Sequence, residues 1–307
     1  MLNQRLIIIL LCVLFAIQIA FGVLFFASTK KENKNSAALT NKTAEHPSNN
    51  NSSGTTKEQR YDDVNKQISE ASKTCDEVLG FSNITEKSLS PLMHKQNIIE
   101  LVGDYFSCEA ASSTDISKCD ALKNIDHKVY QRCAGGNIFM QMIKEKCSDE
   151  SIKRCKNSGA LKESECSADI CEVAFDGKTG ICEEVKKDAG GEAESYQSCI
   201  SIAKNDINSC NGLDTSSKNA CMDEYYRVSA VKNNDSSLAD KINNTPRKLA
   251  VRAFIDKSFS CSQEFAKFAK ESPDSETYRI DCLHSLTGDY NEALKEAKKL
   301  EQEIKGQ

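Results

Sequence analysis

Tryptophan is absent, and only four prolines and 14 glycines punctuate the 307 residues. So few breakers, in a chain rich in Glu, Lys, Ala, Leu and Ser, disfavour a sheet-and-turn architecture and favour helix. Aromatics are only 7% of residues, so any core rests on aliphatic side chains, cysteine and a few Tyr and Phe. The chain also lacks a basic excess: net charge is −5 and the pI is near 5.6. No Lys/Arg run exceeds two residues, and no basic stripe alternates with aromatics. Phosphate neutralisation therefore has no visible footprint, and nucleic acid is not an expected partner.

Chemical signatures are equally sparse. G-x-S-x-G, H-E-x-x-H, G-x-G-x-x-G and an EF-hand loop are all missing. Gly177-Lys178-Thr179-Gly180 lacks the spaced glycine of a phosphate loop and reads as a plain turn. C-x2-C is missing too, which removes the usual zinc, thioredoxin-like and covalent-haem patterns. His94, His127 and His284 stand apart from any nucleophile motif and read as surface or packing residues. No catalytic, cofactor or metal residue is nominated, and a non-enzymatic protein is expected.

What is present begins at the N-terminus. Residues 6–27 form an uncharged apolar run of 22 residues, interrupted in polarity only by Gln18 and Gly22. As a helix it would measure roughly 33 Å, enough to cross a bilayer. Phe25 stands where a signal-peptide cleavage site needs a small residue, so an uncleaved anchor is expected after a short cytoplasmic stretch, 1–5. Lys30, Lys31 and Lys34 follow the run and argue weakly for the opposite topology. Residues 28–60 are polar, rich in Asn, Ser, Thr and Lys, and read as a disordered stalk.

The cysteines decide the topology. Of 15, only Cys12 lies in the apolar run, and the other 14 lie beyond residue 74. An even, dense set without metal spacing reads as disulfides, which places residues 61–307 in a periplasmic or extracellular space. From Tyr61 onward Val64, Ile68, Ala71, Cys75 and Val78 recur at helical intervals. Ser90-Pro91, Thr245-Pro246 and Ser272-Pro273 read as hydroxyl N-caps followed by Pro at the first helical position. One exception is anticipated at Asp176-Gly177, where flanking apolar residues could make a β-hairpin turn.

A degenerate repeat runs through this region. Tyr105, Cys108, Asp115, Ile116, Cys119, Leu122 and Cys133 are matched by Tyr196, Cys199, Asp206, Ile207, Cys210, Leu213 and Cys221, with three extra residues before Cys133. A third copy, 29 residues after the second, has Tyr225, Val228, Asp235, Ala239, Ile242 and Ala250, with Arg247 in the place of Lys218. Its three cysteines are all replaced. The aspartates read as helix caps and the tyrosines as packing residues that could instead line an interaction groove. Bridges Cys119–Cys133 and Cys210–Cys221 are expected. Cys155 to Cys166 and Cys171 to Cys182 share the spacing of eleven and suggest further units.

At the C-terminus, Gly288-Asp289-Tyr290-Asn291-Glu292-Ala293-Leu294 resembles the hinge and second helix of a tetratricopeptide repeat, over about 25 residues. The resemblance implies a helical hairpin of the kind that stacks into protein-binding solenoids; Asp281 stands where the family has a small residue.

The expectation is an all-α fold of disulfide-stapled helical hairpin repeats, a solenoid-like array behind an N-terminal transmembrane helix. Its expected role is an interaction or scaffold module for another envelope or extracellular protein, attached to the membrane through residues 6–27. The alternatives are an envelope enzyme or thiol-redox factor, and a purely structural surface protein.

Overall fold

A computed structural model describes residues 55–162, 165–188 and 193–306. The anchor and most of the stalk lie outside the described residues. Among those described, no helix is long and apolar enough to cross a membrane. All secondary structure described is helical.

The first helix, α1 (Lys57–Leu79), begins four residues inside the segment read as stalk. Lys57 pairs with Glu303 at 3.0 Å and Arg60 with Glu296 at 2.7 Å, so the stalk's end is tied to the far end of the chain. A short α2 (Glu86–Leu89) and a 3-10 turn (Ser90–Leu92) lead into α3 (Gln96–Ser113). A second 3-10 stretch (Ile116–Leu122) precedes α4 (His127–Lys144). Then come α5 (Asp149–Ser158), α6 (Asp169–Asp176), α7 (Gly180–Asp188) and α8 (Ala193–Lys204). A third 3-10 stretch (Ile207–Gly212) joins α8 to α9 (Thr215–Asn233). The short α10 (Ser236–Ala239) joins α9 to α11 (Thr245–Ile255). The chain closes with α12 (Cys261–Glu271), α13 (Ser275–Thr287) and α14 (Tyr290–Lys305).

The core is centred on α3, where Ile98, Ile99, Leu101, Val102 and Cys108 are buried. It packs most extensively on α11, about 150 residues downstream, and next on α4. Gly103 permits the approach to α4: a Cβ there would lie 2.1 Å from Val129 Cγ1. A linear solenoid brings together only neighbouring units. Here the chain instead folds back, and α12 and α13 also touch α3. Phe265 of α12, fully buried, sits edge-on to Phe81 and Tyr105.

Three joints between helices are built alike. Each preceding helix ends in a left-handed residue: Thr114 (φ 56°), Asn205 (φ 51°) and Asn234 (φ 53°). Asn tolerates that conformation well, whereas Thr is uncommon there. The next residue is Asp115, Asp206 or Asp235, whose amide donates to the carbonyl five residues back, on Ala110, Ser201 and Ala230. Its carboxylate in turn accepts the amide two residues on, from Ser117, Asn208 and Ser237, at 3.0, 3.0 and 2.9 Å. The following helix has its own cap: Asp126, Asp214 or Asn244. Hydrogen bonding by those amides and hydroxyls holds Asp115 and Asp235 below the ordinary carboxylate range.

Seven disulfides fasten the helices. Five are local: Cys119–Cys133, Cys147–Cys171, Cys155–Cys166, Cys182–Cys199 and Cys210–Cys221. Two span the domain, Cys75–Cys282 across 207 residues and Cys108–Cys261 across 153. In the third joint the bridge positions are Ala239 and Ala250, both buried. The joint is held there by Asp223, 4% exposed, which accepts the Asn243 and Asn244 amides at 2.6 and 2.9 Å and the Asn243 side chain at 2.9 Å.

Several local readings change. Asp176-Gly177 ends a helix: Gly177, at φ 69°, is the left-handed cap of α6, and a further helix follows. An Asp-Gly pair serves a helix C-terminus as readily as a hairpin, because both need a left-handed residue. The shared spacing of Cys171 and Cys182 does not make them partners. Cys171 lies on α6 and is bridged to Cys147 at the end of α4, while Cys182 on α7 is bridged to Cys199 on α8. The three Ser/Thr-Pro pairs shift in register. Asn244, not Thr245, caps α11, with Pro246 in its first turn. Ser272 ends α12, and its hydroxyl accepts the Asp274 amide. Leu89 precedes the turn containing Pro91, without a side-chain cap.

Candidate interaction cleft

A cleft of about 360 Å³ opens between α3, α4, α9 and α11. Helical spacing brings its walls together. Glu100, Asp104 and Ser107 share one face of α3, and Arg132, Gly136 and Met140 share one face of α4. Arg227 comes from α9, and the first turns of α11 add Pro246, Arg247 and Ala250. The positive end of the α11 dipole therefore faces the same space.

The charges are unevenly matched. Arg227 is fastened to Glu224, and its guanidinium carbon lies 4.2 Å from the Phe139 ring centroid. Its Nε is nevertheless buried, without an acceptor among the described residues. Arg132 stands 3.7 Å from Asp104, and Arg247 stands 3.8 Å from Glu224, both too long for a hydrogen bond. Burial pushes the Asp104 carboxyl up to about 6, and Glu100 adds to the rise, against the pull of Arg132 and Arg247. Glu224 goes the other way: burial works to raise it, but Arg227 and Arg247 together hold it below the ordinary range. Beside the cleft, the buried Asn137 spans from α4 to the Ser107 carbonyl through its amide nitrogen at 3.0 Å, and its Oδ1 has no partner.

None of the three nominated tyrosines lines this cleft. Tyr105 belongs to the aromatic core, 4.9 Å from Phe81 between ring centroids. Burial and the neighbouring Glu109 push its hydroxyl up to about 12. Tyr196 donates to Glu183 at 2.8 Å under Lys186, fixing α8 on α7. Tyr225 donates to Asn205 at 3.1 Å, so the tyrosine of the third copy reaches the left-handed residue of the second. All three contact a neighbouring segment of the chain.

His127 stacks on Tyr130, with ring centroids 6.1 Å apart, and His284 lies one turn from Asp281. Among the described residues, no three His, Cys, Asp or Glu side chains are grouped to hold a metal ion. At the C-terminus, α13 and α14 form a helical hairpin whose turn is Gly288 (φ 80°), with Asp289 capping α14. Asp281 accepts from Lys95 at 2.9 Å and Asn97 at 3.0 Å, a polar tie to the start of α3 in place of a small packing residue. The comparisons with family models, curated proteins and solved structures yield no match.

Sequence reasoning missed the cleft arginines. Only Arg247 carried a signal, as the counterpart of Lys218 in the repeat. Arg132 and Arg227 lie on helices whose apolar positions run all round, so no polar face singled them out.

Proposed function

We propose that this chain is a membrane-tethered, extracytoplasmic interaction module, built from like helical joints in an array folded back on itself. Seven disulfides suit an oxidising compartment, where such bonds form and persist. The observation that carries the reading is the cleft wall. Arg132 and Arg247 line an open surface, and the carboxylates nearest them, Asp104 at 3.7 Å and Glu224 at 3.8 Å, stand beyond hydrogen-bonding distance. Arginine is enriched at protein interfaces, and exposed guanidiniums in loose ion pairs keep donors available to a second protein.

A photo-reactive residue placed at Gly136 in the full-length protein tests the proposal in its native host. An added Cβ at Gly136 meets nothing within 4 Å, so the probe's attachment point is unobstructed. One discrete adduct, absent when the probe sits at Glu292 on α14, is the expected result. An identical adduct pattern at both positions overturns it. Thiol titration of the native protein separates the redox alternative: a reactive, exchangeable cysteine pair favours a thiol-redox factor, and near-zero accessible thiols favours the interaction module.

A further inference from the structure

We infer that the cleft between α3, α4, α9 and α11 receives carboxylate side chains from an acidic segment of the partner protein, with Arg132 and Arg247 as the receiving groups. The inference rests on the proposed interaction role and names the chemistry of the partner.

Three guanidiniums and two carboxylates line the space. Glu224 lies behind the lining, fastened to Arg227 and pulled upon by Arg247. Arg132 and Arg247 offer forked donors that, among the described residues, meet their carboxylates only at 3.7 and 3.8 Å, beyond hydrogen-bonding distance. A carboxylate matches such a fork with two parallel bonds, and charge assistance makes each stronger than a neutral one. A cationic segment fits worse, because the three guanidiniums and the positive end of α11 outweigh the two lining carboxylates, Glu100 and Asp104.

The cleft volume lies near the lower end of the range for small-molecule pockets, about 300–1,000 Å³. Its open side makes it a better seat for side chains projecting from a larger partner than for an enclosed metabolite.

Acidity tunes the seat. Asp104 faces Glu100 on its own helix, Arg132 on α4 and Arg247 on α11, while Arg227 and Glu224 complete the charged surroundings from α9. Protonation of Asp104 removes the negative charge nearest Arg132 and leaves the lining more cationic. A neutral carboxyl can also donate to an incoming carboxylate. Binding should therefore tighten between pH 7.5 and 5.5.

The experiment uses the purified, oxidised full-length protein and three fluorescent probes: hexaglutamate, hexaglutamine and hexalysine. Hexaglutamate alone should bind, with affinity falling as salt rises. Replacing both receiving groups, Arg132→Gln with Arg247→Gln, should weaken it about 30-fold or more, as expected for losing two charge-assisted contacts. Replacing Lys295 and Lys299 of α14 by Gln should leave it unchanged. Asp104→Asn should flatten the pH dependence.

If the double variant fails to fold, hydrogen exchange on the wild-type protein carries the test. Hexaglutamate should then protect amides in 100–107, 132–140 and 244–251. Absence of hexaglutamate binding, equal binding by the double variant, or protection elsewhere overturns the inference. So does displacement by inorganic phosphate at matched charge as effective as by peptide, which would mark a free-anion site. If hexaglutamate fails while the Gly136 adduct persists, the acidic-segment inference falls and the interaction module stands.

Discussion

Two joints of this protein share a backbone and differ in how they are fastened. Between α8 and α9, Asn205 is left-handed, Asp206 caps the next turn, and Cys210–Cys221 bridges the turn to the following helix. Between α9 and α11, Asn234 and Asp235 repeat the same conformation, yet Ala239 and Ala250 stand where the cysteines were. The joint's shape is therefore a property of the left-handed residue, the cap and the aliphatic position, half-buried at Leu213 in one and buried at Ile242 in the other. A covalent bond does not create that shape. It restricts the unfolded chain, and in the third joint Asp223 supplies a folded-state tie instead.

The sharpest way to break the comparison is Asp223→Ala. It strands two backbone amides and a side-chain donor in a half-buried turn, and should cost about 3–4 kcal/mol in chemical denaturation. The same change should leave the disulfide map intact. Converting the second joint to the third, with Cys210→Ala and Cys221→Ala together, should cost about 2–3 kcal/mol, because the loop it frees is short. The helices around it should keep their native circular dichroism. A loss of helical signal would show that the staple shapes the joint after all.

The reverse conversion, Ala239→Cys with Ala250→Cys, should form an eighth bridge on oxidation, seen as one further disulfide-linked peptide. It should stabilise by about 1–2 kcal/mol, less than a natural bridge because engineered geometry seldom fits as well. The smallest effects belong to the caps. Asp235→Ala should lower stability more than Asp206→Ala, since only the second joint retains a bridge. The Asp235 carboxyl is depressed in the folded state, so its contribution is present above the ordinary carboxylate range and disappears as pH falls through the folded value. Denaturation curves for the Asp235→Ala variant and the parent should therefore converge in acid.

How far the sequence discloses this structure depends on the distance over which each feature is determined. The helical class follows from scarce Gly and Pro together with three-and-four spacing, which are local properties. The joints are equally local: Asn-Asp followed by a short polar turn is visible at 205–206 and again at 234–235. A short closure such as Cys210 to Cys221 leaves a trace in the spacing. The long closures leave none, because Cys75 meets Cys282 only after the chain has folded back. The cleft is invisible for the same reason. Arg132, Arg227 and Arg247 sit on three helices, each unremarkable alone, and become a site only when α11 packs on α3. Asp176-Gly177 misleads in another way, since one local conformation serves two kinds of turn.

The bridge between Cys75 and Cys282 has a consequence for damage and for load. It closes a covalent circuit through almost the whole described chain, with Cys108–Cys261 as an inner rung. A single proteolytic cut anywhere between Cys75 and Cys282 leaves one connected molecule, whose fragments separate only after reduction. A pull applied between Lys57 and Lys305 likewise passes along α1 to Cys75, across one sulfur–sulfur bond, and out through α13 and α14. The cleft and the joints lie off that line of force.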